Sequence, residues 1–170
     1  MFAAKANELA VGSEAPDFTL QDQYDQAQTL SAYRGRWLVL YFYPKDDTPG
    51  CTAEACAFRD DIRQLNRLQV ALLGVSLDSV GSHRRFANKH GLPFPLLADP
   101  KGKVAAAYNA LWALGPIRFA RRQSFIIDPR GRIARIYRSV KPGSHSDQVI
   151  ADLVALGAGP ASDNKEKANE

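Results

Sequence analysis

An α/β fold of three layers with a mixed central sheet is predicted by two features of the chain. Apolar runs of strand length alternate with segments of helical period, and that alternation ends in a hairpin and one last amphipathic helix. Strands separated by helices pair in parallel, whereas a hairpin adds an antiparallel edge. The 170 residues are of ordinary single-domain size, so residues 1–157 are expected to form one domain and 158–170, small and charged, a disordered tail. With 45% apolar and 24% charged residues the composition is that of a soluble globular protein, and no apolar run reaches the length of a membrane span. A net charge of +4 spread over scattered arginines gives no nucleic-acid footprint, and Met1 to Leu9 does not resemble a secretory leader. A cytoplasmic protein is therefore expected, with no membrane or nucleic-acid partner.

The elements follow in order. Up to Ser13 no period is visible, and a loosely held arm is expected. Asp17 to Leu20 and Gln28 to Leu30 read as two short strands about the polar turn Asp22–Gln26, an N-terminal β-hairpin. Trp37 to Phe42 is almost continuously apolar, as a strand covered on both faces must be. From Thr52 to about Asn66, Ala55, Phe58, Ile62 and Leu65 recur at helical spacing. Val70–Ser76 is the next buried strand, and a helix capped by Asp78 or Ser79 runs to His90 and stops at Gly91. Leu96–Ala98 is a short strand and Lys103–Tyr108 a short helix, and Leu111 to Arg121 reads as a long apolar-basic loop. Ser124–Ile127 and Ile133–Tyr137 flank the turn Asp128–Gly131, and Ser146 is expected to cap a helix ended by Gly157.

The chemistry of the chain concentrates on its two cysteines, Cys51 and Cys56. Thr48-Pro49-Gly50 delivers Cys51 to the first turn of a helix, where unpaired N–H groups and the helix dipole favour a charged sulfur over a neutral thiol. In one regular helix the two α-carbons would lie about 8.6 Å apart. That exceeds the roughly 7 Å limit of an unstrained disulfide, so a Cys51–Cys56 bond requires the helix to unwind. Four intervening residues also differ from the two of a thioredoxin-type dithiol. Two inert core cysteines are the alternative, but a helix start is a place where a thiol is activated. A metal centre is not predicted, since His83, His90 and His145 stand at no spacing that pairs with the cysteines.

Pro44-x-x-x-Thr48-x-x-Cys51 resembles the active-site signature of the peroxiredoxins, and the longer string from Phe42 through Cys51-Thr52, with Glu54 and Cys56, resembles their Q-type or bacterioferritin-comigratory subfamily. Ala15 to Leu20 is similar to the family's opening strand, and Arg122-x-Ser124-Phe125-Ile126-Ile127-Asp128 to its arginine-bearing strand. The resemblance implies a thioredoxin-like fold and a thiol peroxidase acting on hydrogen peroxide and organic hydroperoxides. Cys51 would attack the peroxide and become a sulfenic acid, Thr48 would bond thiolate and peroxide, and Arg122 would hold negative charge on sulfur and departing oxygen. Pro44 would shield the pocket from water.

Cys56 would resolve the sulfenic acid as an intrachain disulfide, which thioredoxin or a glutaredoxin-like donor would reduce. No cofactor motif is present, so electrons are expected from such a partner. Arg121 is the near rival of Arg122, separated by the reversal of face that one residue brings on a strand. Glu54 also suits a first-turn helix carboxylate and is left outside the catalytic set. No Gly-Gly-Leu-Gly loop or Tyr-Phe C-terminal arm is visible, so a monomer that resists over-oxidation is expected. A redox-switched holdase or sensor using the same cysteine pair is the alternative function.

Overall fold

The computed structural model describes residues 9–160. Strands β1 (Thr19–Gln21) and β2 (Ala27–Thr29) form the expected hairpin, followed by a 3-10 turn at Leu30–Tyr33. The alternation read from the sequence is then supplied by β3 (Trp37–Phe42), α1 (Pro49–Asp60), α2 (Ile62–Arg67), β4 (Val70–Ser76), α3 (Val80–His90), β5 (Leu96–Ala98) and α4 (Lys103–Ala107). It closes with β6 (Leu111–Leu114), β7 (Ile117–Ala120), β8 (Gln123–Ile127), β9 (Ile133–Tyr137) and α5 (His145–Ala155). Seven strands make one mixed sheet in the order β2-β1-β5-β4-β3-β8-β9, parallel across β3, β4 and β5 and antiparallel at both edges.

Because successive side chains of a strand face opposite ways, the apolar run of β3 supplies two cores at once. Val39, Tyr41 and Tyr43 face Cys51, Ala55 and Phe58 of α1, joined by Phe86 of α3 and by Val149 and Leu153 of α5. Leu38, Leu40 and Phe42 face the other way, toward Phe18, Ala105, Tyr108 and Phe125. Phe58 is the main wedge under α1, its ring 4.9 Å from that of Tyr41 and 6.0 Å from that of His145. Gly74 lets Tyr41 lie over the neighbouring strand, since a β-carbon there would come within 2.9 Å of the Tyr41 ring.

Four expectations are corrected. The segment Leu111–Arg121 is not a loop: β6 and β7 form a separate two-stranded ribbon, turned at Gly115 (φ +57) and tied by the stacked rings of Trp112 and Phe119 at 4.7 Å. The helix read as continuous to Asn66 breaks at Asp61, whose carboxylate accepts a 2.7 Å bond from the Ser146 hydroxyl instead of facing solvent. Ser146 thus serves α1 from within α5, and the residue preceding α5 is Ser144. The end of the arm is held on β9, where Gly12 N–H donates to Ile133 O at 2.7 Å and Ile133 N–H to Ser13 O at 2.9 Å. Residues 1–8 of the arm lie outside the described residues. At the other end Ala158 is buried, and the remainder of the expected tail beyond Pro160 also lies outside them.

Candidate active site

Parallel strands leave their C-terminal ends free for chemistry, and β3 delivers Tyr43 and Pro44 there before the chain turns into α1. Asp47 takes a left-handed conformation (φ 59), and Thr48, extended at φ −92 and ψ 155, is the cap residue before α1. Pro49 follows at the first helical position, where its missing N–H costs nothing, and Cys51 stands in the first turn as expected. Its sulfur is buried, 1% exposed, and is a free thiol, as is the half-buried Cys56 one and a half turns on.

Arg122, two residues beyond β7, reaches across to α1. Its Nη2 donates to Cys51 Sγ at 3.2 Å and its Nη1 to Glu54 Oε1 at 2.9 Å. The guanidinium fork therefore spans two groups one helical turn apart. Gly50 makes this approach possible, because a β-carbon there would lie 3.1 Å from Nη2. Burial alone would lower the affinity of Arg122 for its proton, but the Cys51 sulfur and the Glu54 carboxylate outweigh it and leave the net shift upward. Glu54, 1% exposed, has its carboxyl pushed up to about 7 by burial, which the opposing pull of Arg122 only partly offsets. Its second oxygen, Oε2, has no hydrogen-bond partner among the described residues.

Of the five residues singled out by sequence, Arg122 meets Cys51 at this helix start, and Thr48 is the cap residue of the same helix. Thr48 Oγ1 donates to the Lys45 carbonyl at 2.8 Å, so its proton is committed to the loop while its oxygen can still accept. Pro44 lines a groove of about 380 Å³ with Lys45, Leu77, Asp78, Ile117, Arg118 and Phe119. The ribbon that the sequence did not reveal is thus one wall of that groove. Arg121 is exposed, whereas Arg122 is the one of the two that donates to Cys51.

The family model described as AhpC/TSA matches residues 11–136. Peroxiredoxin Bcp of Bacillus subtilis is 40% identical over 151 residues, spanning 85% of this chain and 95% of its own. The chain belongs to the AhpC/TSA family, as a peroxiredoxin of the Bcp or Q type. The solved structure of PrxQ from Xylella fastidiosa superposes with a TM-score of 0.82 at 34% identity, covering 87% of this chain and 97% of that one. The bacterioferritin comigratory protein of Xanthomonas campestris, studied for its alkyl peroxide reduction activity, gives 0.80 at 34% identity over 87% and 97%. This peroxiredoxin is therefore a thiol-dependent peroxidase with a thioredoxin-like fold.

Sequence reasoning left Glu54 out of the site, and the structure puts it in direct contact with Arg122. Its position on α1 carried the missing signal: Glu54 lies three residues after Cys51, on the same helix face, and that face is buried.

Proposed function

We propose that Cys51 is the peroxidatic cysteine and Cys56 the resolving one, in a cycle closed by a dithiol protein such as thioredoxin or a glutaredoxin-like donor. The observation that carries the reading is the Arg122 guanidinium 3.2 Å from a buried sulfur at a helix start. The Cys51 thiolate attacks the terminal peroxide oxygen. The O–O bond breaks, sulfur is oxidised to the sulfenic acid, and the departing oxygen takes a proton from solvent to leave as water or an alcohol. The Thr48 oxygen, with its own proton held by Lys45 O, accepts from the peroxide O–H, while Arg122 steadies charge first on sulfur and then on the leaving oxygen. The Cys56 thiol then displaces water from the sulfenic acid, forming the disulfide. The partner dithiol reduces that bond and becomes a disulfide itself. The groove beside Pro44, walled by Ile117 and Phe119, offers apolar surface to the organic part of a hydroperoxide.

One equivalent of hydrogen peroxide added to the reduced protein should produce a Cys51–Cys56 bond, seen as a linked peptide by mass spectrometry. NADPH consumption with thioredoxin and its reductase should then follow peroxide. Peroxide consumption that leaves both cysteines unlinked would favour a one-cysteine cycle with an external thiol.

Glu54 gives the site a pH signature. The folded protein holds this proton more tightly than the unfolded chain, because the carboxyl is raised from 4.5 to about 7. The stability it confers is full below about pH 4.5 and is lost as pH rises through about 7, a swing of about 3 kcal/mol. Urea unfolding between these limits should show wild type losing about 3 kcal/mol more than Glu54→Gln, which carries no titrating proton. Equal pH slopes for the two proteins would contradict a buried acid at this position.

A further inference from the structure

The loop between β3 and α1 is fastened to α3 by buried side chains that the chemistry above does not use. Asp46 accepts from the Tyr43 hydroxyl at 2.6 Å through Oδ1 and from the Ser82 hydroxyl at 2.8 Å through Oδ2. The same Oδ2 lies 2.7 Å from His83 Nδ1, and His83 is fully buried with Nε2 2.9 Å from the Leu97 carbonyl oxygen. A carbonyl only accepts, so Nε2 carries a proton. Nδ1 is then the ring nitrogen that faces the Asp46 carboxylate. The Asp46 N–H in turn donates to Asp78 Oδ2 at 2.9 Å, an oxygen that also accepts from the Ser76 hydroxyl at 2.6 Å. Tyr43 is kept a donor because burial, reinforced by Asp46, pushes its phenol upward.

A second tie lies outside, where Lys89 Nζ and His90 Nε2 approach Asp47 at 2.8 and 3.3 Å. Exposed pairs of this kind contribute about 0–1 kcal/mol, so the buried network decides the position of the loop. The ligand atoms of Asp46, Asp78 and His83 fall within 4.8 Å of one another, but contacts of hydrogen-bond length already fill the space between them.

We propose that His83 is a positioning residue of the peroxide-reducing step: acting through Asp46, it fixes the Pro44–Thr48 loop and with it the Thr48 oxygen that orients the peroxide against Cys51. The inference rests on the roles of Cys51 and Thr48 proposed above. Thr48 stands two residues beyond Asp46, and its hydroxyl is aimed by the Lys45 carbonyl, one residue before Asp46. The three backbone positions from Lys45 to Asp47 therefore set where the Thr48 oxygen sits. A misplacement of about 1 Å at such a group can slow a reaction about a hundredfold.

Two rates measured on the full chain separate positioning from general loosening. Reduction of hydrogen peroxide needs Thr48 in place, whereas alkylation of Cys51 by iodoacetamide uses the same buried sulfur beside Arg122 but makes no demand on the Thr48 oxygen. His83→Ala and Asp46→Ala should slow the peroxide reaction by about tenfold to a hundredfold, with the alkylation rate kept. Asp46→Asn should recover most of the loss, because its amide can donate to His83 Nδ1 while its oxygen still accepts from Tyr43. If the alanine variants do not fold, His83→Gln, whose amide cannot span Leu97 and Asp46 together, carries the same pair of measurements. A parallel fall in both rates, an unchanged peroxide rate, or an Asp46→Asn protein as slow as Asp46→Ala would each overturn the assignment. Cys51→Ser distinguishes the two layers: peroxide reduction that survives it removes the underlying reading and this inference with it, and its loss leaves the clamp to be judged by the other variants.

Discussion

Arg122→Gln should slow the reaction of the Cys51 thiolate with hydrogen peroxide by about a hundredfold to a thousandfold, the range found when one preorganised donor to a developing charge is removed. Stopped-flow tryptophan fluorescence or competition with a second peroxidase would measure it. Two losses combine. The sulfur and the departing oxygen lose the Nη2 donor that stands 3.2 Å from Cys51, and the buried Glu54 loses the guanidinium that bonds its Oε1. Glu54 Oε2 already has no partner among the described residues, so without Arg122 the buried carboxyl keeps its proton more firmly. Arg122→Lys separates charge from geometry. An ammonium on a flexible stem can approach either Cys51 or Glu54 but lacks the fork that spans both, so an intermediate rate is expected. A lysine variant as fast as wild type would mean that positive charge alone suffices, and a glutamine variant of undiminished rate would remove Arg122 from the chemistry.

What the sequence made legible depended on whether a residue's environment was local. The run Trp37–Phe42 is apolar on both faces because β3 lies in the middle of the sheet, and its period could be read without knowing any partner. The first-turn position of Cys51 followed from Thr48-Pro49-Gly50, all within three residues. The β6–β7 ribbon was missed for the converse reason. It stands off the main sheet, with Leu114 and Ile117 exposed, and so shows no alternating burial; what holds it is the Trp112–Phe119 pair across the turn. Glu54 could be read equally as a first-turn helix carboxylate because its partner, Arg122, is 68 positions away. His83 was weighed only as a metal ligand, and its network with Asp46 and Leu97 appears only once α3 and β5 are packed against the loop.

Cys56→Ser should preserve the first, stoichiometric consumption of peroxide while thioredoxin-linked turnover drops to about a tenth or less, since no internal thiol remains to convert the sulfenic acid to an exchangeable disulfide. Retained sulfenic acid then meets further peroxide, and sulfinic and sulfonic forms of Cys51 should accumulate in the mass spectrum. The cause lies in how α1 is held. Its C-terminal half is fixed by Phe58 between Tyr41 and His145, by Arg59 Nη1 donating to His90 O at 2.7 Å, and by Asp61 accepting from Ser146. Its N-terminal half depends on the buried Cys51 side chain and on the Arg122 fork, and reaction at sulfur alters both of those. On the proposed resolution by Cys56, unwinding would be directed to the turns between Pro49 and Cys56, the segment that must open for two sulfurs about 8.6 Å apart at their α-carbons to bond. An opened form a few kcal/mol above the helical one would be populated at about 0.1–10%, and disulfide formation would draw the equilibrium across. Hydrogen exchange should therefore quicken from Cys51 to Ala57 in the disulfide form while Phe58 to Leu65 stays protected. Full turnover in Cys56→Ser, or protection lost along the whole of α1 and α2, would show that resolution does not proceed by this confined opening.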